Sequence, residues 1–207
     1  MKKFHGPIRV GRRKLLGEAL EIGDDSPNVG ADLRALRKSR GTTLTELALA
    51  TGRSVGWISQ VERGISQPSI DDLRLLADRL DAPLSLFFGD PDAPAEERGH
   101  IVRWNAGRSL GAPEGGLKEM LLSPDLGGAF EIVRSVFDPC AELAEAQTRP
   151  TEEAGYIISG NLDLGISDKL FSLEEGDSFR FRGEPYRWRN PGDEPAVVIW
   201  VIAPPVY

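Results

Sequence analysis

The sequence predicts a multidomain α plus β chain, with an all-α N-terminal domain followed by an antiparallel β-barrel or sandwich. Three observations carry that prediction. Thr43 to Gly64, TLTELALATGRSVGWISQVERG, reads as two short helices joined by a turn. From His100 onward, short β-rich runs (EIVRSVF, GYIISGNLDLGI, LFSLEEGDSFRF and AVVIWVI) alternate with turn signals at DPC, SGN, EEGD and NPGDEP. Between the two lies Gly89 to Gly99, GDPDAPAEERG, whose Pro, Asp and Ala content reads as a linker. The expected division is therefore a basic N-terminal extension (1–27), a helical domain (28–88), a linker (89–99) and a β domain (100–207).

Residues 1–16 hold Lys2, Lys3, Arg9, Arg12, Arg13 and Lys14 with no acidic residue, broken by Gly6, Pro7 and Gly11. That composition suits an arm laid along phosphates or in a minor groove, and equally a solvated tail. LLGEAL forms a brief helix before the DDSPN turn signal at Asp24 to Asn28. In the helical domain, Leu33, Leu36, Leu73, Leu76 and Leu80 recur at core spacing, and Gly41 ends the first helix. Arg34, Arg37, Lys38 and Arg40 cluster on and after that helix, where they could meet phosphates.

Within the central stretch, Leu44, Leu47, Ala48 and Ala50 lie near one face of the first helix, and Val55, Ile58 and Val61 recur at three-residue steps in the second. Gly52 lets the backbone take a positive φ at the corner, Ser54 caps the second helix, and Gly64 stops it. This is helix-turn-helix chemistry. It leaves Arg53, Ser54, Gly56, Trp57, Ser59, Gln60 and Arg63 off the apolar face, groups suited to phosphates and base edges. With Thr43 at the head of the motif, these are the candidate DNA contacts; a helical hairpin that never touches DNA shares the same geometry. Ser69 N-caps the next helix, with Asp71 and Asp72 in its positively polarised first turn. After Pro83, the run Leu84, Leu86, Phe87 and Phe88 closes the domain as core or dimer contact.

The run from Leu33 to Phe87 resembles the lambda-repressor-like (Cro/CI, or XRE) DNA-binding domain. LRALRKSRGTTLTELA, VGWISQVERG, QPSIDDLRLLADRL and PLSLFF each stand where that family has its counterpart. The resemblance implies sequence-specific binding to a double-stranded DNA operator by a homodimer, with the helix at Ser54 to Arg63 in the major groove.

The net charge of −7 disguises this until it is divided along the chain. Residues 1–27 carry six Lys/Arg against four Asp/Glu, residues 28–90 eight against eight, and residues 91–207 eleven against twenty. The acidity belongs to the C-terminal part, which excludes it as a second DNA-binding surface. The lone Cys140 excludes an internal disulfide framework, so a reducing cytoplasm is the expected setting. No apolar stretch approaches the ~20 residues that span a bilayer, so no membrane partner is expected.

The segment from Phe137 to Pro204 is similar to the cupin fold, an antiparallel β-barrel, most plainly in GYIISGNLDL, LEEGDSFRF and RWRNPGDEPAVVIWV. In that family's first motif a Gly, two His and a Glu precede a closing Gly. Aligned back from Gly160, this chain offers Glu153 but places Arg149 and Gln147 at the histidines and Ala141 at the first Gly. The second motif's histidine falls at Tyr186. A guanidinium cannot ligate a divalent ion, and the chain's two histidines, His5 and His100, lie outside both motifs. The expectation is a barrel with no metal and no cofactor.

What remains is an interior that could hold an organic effector. Arg149 offers a planar fork for a carboxylate or phosphate; Glu153 could accept from an amine or pair with Arg149; Gln147 and Tyr186 could orient polar groups. Strand alternation puts Trp188 on the face of Tyr186, with Tyr156 and Trp200 as weaker additions. The alternative is a filled barrel in which Arg149 and Glu153 form a structural ion pair and the domain serves dimerisation. GGLKEM and LGGAF lack the spacings that wrap phosphates, no Ser-His-Asp or Cys-His grouping can be argued, and Cys140 reads as a small apolar filler. The sequence thus reads as a cytoplasmic, dimeric transcription regulator rather than an enzyme, its barrel sensing a small molecule. Constitutive DNA binding by a dimerising barrel and a DNA-tethered cupin enzyme are the other readings.

Overall fold

A computed structural model describes residues 29–89, 93–104, 106–110 and 115–206. The basic extension 1–27, with its LLGEAL helix and DDSPN turn, and residues 90–92 of the expected linker lie outside the described residues.

The described residues begin with four helices: α1 (Val29–Ser39), α2 (Leu44–Thr51), α3 (Val55–Glu62) and α4 (Ile70–Arg79). Their ends follow from local chemistry. Thr43 and Ser69 each build a capping box, with Glu46 and Asp72 reaching back to the cap residue's N–H, so the first free backbone donors of α2 and α4 find partners. Gly52 sits at φ 64°, and its N–H reaches the carbonyls of Ala48 and Leu49, turning the chain sharply into α3. Leu33, Leu36, Leu47, Ile58, Val61, Leu73, Leu76, Leu80, Leu86 and Phe87 fill the space between the helices.

Two expected apolar positions face solvent. Val55 is 42% exposed and Ala50 is exposed. At 3.6 residues per turn, a strict three-residue step drifts by about 60° each time, so Val55 ends about 120° from Val61. The buried face of α3 is Ile58, Val61 and Glu62 instead.

The expected basic cluster is also divided. Arg37 is buried, with Nε donating to Glu62 Oε1 at 2.6 Å, Nη2 to Glu62 Oε2 at 3.0 Å and Nη1 to the Thr42 carbonyl at 2.7 Å. It clamps α1 to α3 and does not face a phosphate. Arg40 donates to the carbonyls of Leu80 and Asp81, which leaves Arg34 and Lys38 as the outward cations of this helix.

The described residues of the β domain form nine strands: β1 (Arg108–Ser109), β2 (Leu117–Leu121), β3 (Glu131–Phe137), β4 (Glu152–Ser159), β5 (Leu162–Ile166), β6 (Lys169–Leu173), β7 (Ser178–Arg182), β8 (Tyr186–Arg189) and β9 (Ala196–Ala203). The expected antiparallel β-barrel takes the form of two sheets, ordered β1-β2-β3-β9-β4-β7 and β6-β5-β8, with every paired neighbour antiparallel. The sheets face each other: Phe137 of β3 meets Trp188 of β8 edge-on at 4.6 Å, and Phe181 of β7 lies 5.0 Å from Tyr186 of β8. Burial alternates along β3 and β9, so Glu131, Val133, Ser135 and Phe137 share the inner face with Val198, Trp200 and Ile202. Cys140 is exposed in the turn after β3 and fills no apolar space.

The stretch expected to be a linker contains a 3-10 turn, Ala95–Glu97, and the two domains also meet directly. Arg108 Nη1 donates to Asp32 Oδ2 at 2.7 Å and to the Leu86 carbonyl at 2.6 Å, while the Leu126 N–H donates to Asp32 Oδ1 at 3.1 Å. Both side chains of the pair are more than nine-tenths buried. Among the described residues, no helix is long and apolar enough to cross a membrane.

Candidate nucleic-acid interface and barrel cavity

The exposed side of the helix-turn-helix is built by the cap residues and the outer face of α3. Thr43 is exposed, but its hydroxyl is engaged in the α2 capping box with Glu46. Ser54 Oγ accepts from the Trp57 N–H at 3.0 Å and so fixes the first turn of α3. Arg53 pairs with Asp72 of α4 and lies 5.2 Å over the Trp57 ring, which leaves Trp57 half-buried against the core. Gly56 and Gln60 are exposed, Ser59 is half-buried, and exposed Arg63 donates from Nε to the Ser59 carbonyl at 3.1 Å. A Cβ at Gly56 would meet nothing closer than Ser54 Oγ at 4.0 Å, so no internal packing requires a glycine there. Gln60 offers a donor and an acceptor from one planar amide, the bidentate arrangement that suits a base edge.

Between the two sheets of the β domain lies a cavity of about 270 Å³. It gathers Gln147, Arg149, Glu153, Tyr186, Trp188 and Trp200, six of the seven residues expected to line it. The seventh does not belong. Tyr156 is 48% exposed because it falls on the outer face of β4, one residue out of phase with inward Gly155 and Ile157. Gln147 is held by reciprocal 2.8 Å backbone bonds with Tyr186, which tie the segment before β4 to β8.

Charged groups that the sequence patterns had not singled out also reach this interior. Glu119 of β2 lines the cavity, with Oε1 accepting from the Ser135 hydroxyl at 3.1 Å. Glu131 of β3 stands in register with Ile202, which in turn stands in register with Glu153, so both carboxylates flank Ile202 on one face. Glu153 is 2% exposed, and its Oε1 accepts from the Thr151 hydroxyl at 2.8 Å. Arg149 therefore forms no ion pair with Glu153; among the described residues its guanidinium makes no hydrogen bond and acts on the glutamates through space.

Burial raises the carboxyls of Glu119 and Glu153 above the ordinary range against the pull of their hydroxyl donors and Arg149. Glu131 is pushed up to about 7, first by burial and then by the charges of Glu119 and Glu153, and its Oε2 has no hydrogen-bond partner among the described residues. Tyr186 is pushed up to about 12 by burial and stays a neutral donor.

Residues 28–87 match the helix-turn-helix domain family, and residues 134–202 match the cupin domain family. The chain is 39% identical over 168 residues to the HTH-type transcriptional regulator SutR of Escherichia coli, spanning 78% of this chain and 86% of that one. The chain belongs to the helix-turn-helix type transcriptional regulators. It is also 32% identical over 97 residues to the transcriptional regulator ClgR of Mycobacterium tuberculosis, covering 46% of this chain and 87% of ClgR. Among solved structures, an HTH_3 family transcriptional regulator from Vibrio cholerae aligns with 24% identity over 88% of this chain and 99% of its own, at a TM-score of 0.40. The cupin domain of an XRE family regulator from Enterobacter cloacae aligns with 24% identity over 44% and 98%, at 0.39.

This regulator is thus a DNA-binding helix-turn-helix domain joined to a cupin domain. Among the described residues no three His, Cys, Asp or Glu side chains are arranged to hold a metal ion. The sequence patterns missed Glu119, Glu142, Phe137 and Ile202 among the lining residues, and Glu131 on the same inner face. A signal for Glu131 was available: in EIVRSVF it falls in phase with Val133, Ser135 and Phe137, a charged residue on an otherwise inward stripe.

Proposed function

We propose that this regulator works in the cytoplasm as a homodimer, its domains dividing near 28–88 and 100–207. It reads a double-stranded DNA operator through Arg53, Ser54, Gly56, Trp57, Ser59, Gln60 and Arg63, and its operator affinity changes when a small polar organic molecule occupies the cupin cavity. In this reading the molecule is sensed, not turned over, and no metal is needed.

The observation that carries the reading is a continuous series of packed contacts between the cavity and α3. Glu119 lines the cavity on β2, and β2 pairs with β1 in the register Arg108 with Leu121. Arg108 grips Asp32 of α1, and Arg37 of the same helix grips Glu62 of α3. Close-packed elements respond to a change at one end by shifting as units, so a ligand that moves β2 has a mechanical route to the reading helix.

The test is an operator duplex selected from a random-sequence pool with the full chain. Footprinting should show an inverted repeat with half-sites about 10 bp apart or a multiple of it. Adding the small-molecule fraction of a cell extract should change the operator Kd about five- to 150-fold. A single asymmetric half-site at saturation contradicts the dimer; an unchanged Kd contradicts sensing and leaves constitutive binding.

A further inference from the structure

The charge distribution inside the cupin cavity says more about its occupant than the sequence motifs did. Glu119 lines it from a half-buried strand position and Glu153 from a buried one, Glu142 touches it from an exposed one, Glu131 lies on the same inner face, and among the described residues Arg149 is the one cation in the lining. With three carboxylates acting on it through space, that guanidinium is already compensated, and the interior keeps a negative excess. Phe137, Tyr186, Trp188 and Trp200 add four aromatic rings to the lining beside Leu117, Leu143 and Ile202, and aromatic quadrupoles attract cations. Acceptors are in surplus as well. Among the described residues Glu131 Oε2 is buried and unpartnered, and Glu119 and Glu153 each have one oxygen held by a hydroxyl donor, which leaves the other oxygen to accept.

Resting on the sensor reading above, we propose that the effector is a small organic ammonium compound whose N–H groups are accepted by Glu119 and Glu153 and whose carbon chain lies against Trp188 and Trp200. A volume of about 270 Å³ sits just below the range of drug-sized pockets, which sets the scale of the molecule at that of a simple metabolite. Arg149 and Gln147 remain for a second polar group, so an amino acid fits the arrangement, whereas a carboxylate or phosphate without an amine meets the negative excess with a single compensated cation. Glu131, pushed up to about 7 on the same inner face, adds a signature: an ammonium charge nearby favours its ionised form, so binding near pH 7 releases protons.

The experiment uses the full chain in equilibrium dialysis against a defined mixture of aliphatic monoamines, diamines, α-amino acids, mono- and dicarboxylates and sugar phosphates, with the protein-bound fraction identified by mass spectrometry. The expected result is that every retained compound carries an ammonium group. Calorimetry of a retained compound in two buffers of different ionisation enthalpy should then show proton release. Glu119→Gln and Glu153→Gln should each lower retention about tenfold or more, through loss of a charge-assisted hydrogen bond. Retention of carboxylates or phosphates that lack an amine, lost on Arg149→Met, overturns the ligand class and leaves the sensor reading standing. Retention of no compound from any class overturns both.

Discussion

Glu131→Gln isolates the energetic consequence of burying a carboxyl behind the cavity. In the folded protein this group titrates at about 7, against 4.5 ordinarily, and each pKa unit corresponds to about 1.4 kcal/mol. The difference amounts to about 3 kcal/mol. Because the folded pKa is raised, the folded state holds the proton more tightly than the unfolded chain does. The contribution to stability is fully present below pH 4.5, declines as pH rises, and is lost above about 7. Glutamine keeps an oxygen to accept from the Val206 N–H and replaces the unpartnered Oε2 with a neutral group. Urea unfolding followed by the fluorescence of Trp188 and Trp200 should therefore show little difference between parent and variant at pH 4.5. By pH 8 the variant should be the more stable by about 3 kcal/mol. A difference that stays constant across this range would refute the reasoning, since it would place the effect in packing and not in ionisation.

Three substitutions in the helical domain test the rest. Gln60→Ala should cost about 1–3 kcal/mol on the selected operator and spare non-specific DNA in a competition titration; equal loss on all sequences would make Gln60 a phosphate contact. Gly56→Ala should stabilise α3 by about 0.5–1 kcal/mol in thermal unfolding, because a Cβ there meets open space, yet weaken operator binding where the DNA backbone must come close. Arg37→Met should destabilise the helical domain by about 3–5 kcal/mol in denaturant, because it strands the buried Glu62 carboxylate without its bidentate partner.

The helical domain was the more legible half because its signals are local. Gly52, Ser54 and Ser69 each sit where a turn or cap has to be, and the structure gives each the conformation its chemistry demands. What local patterns missed was the use of side chains across helices: Arg37 looked like one cation of a basic cluster until α1 packed against α3 and brought Glu62 to it. In the β domain, motif positions brought Gln147, Arg149, Glu153, Tyr186 and Trp188 to one cavity; strand alternation fixes the last three on β4 and β8, and the Gln147–Tyr186 bridge holds the segment before β4 against β8. Tyr156 failed for the same reason, being one residue out of phase. Glu119 and Glu131 were invisible to the motifs because their positions depend on β2 and β3 joining a sheet with β9, a pairing between residues far apart in the chain. The Asp32–Arg108 junction is of the same kind, two residues of ordinary appearance that meet only after both domains have formed.

In the proposed reading, occupancy of the cupin cavity reaches α3 through α1. The double variant Asp32→Leu/Arg108→Met cuts that route, because it removes the buried pair without leaving either charge alone. Operator Kd is measured by fluorescence anisotropy for parent and variant, with and without the small-molecule fraction of a cell extract. The parent's Kd should change about five- to 150-fold, and the double variant should keep the parent's Kd in the absence of the extract and show no response when it is added. A double variant that responds as the parent does would contradict that reading.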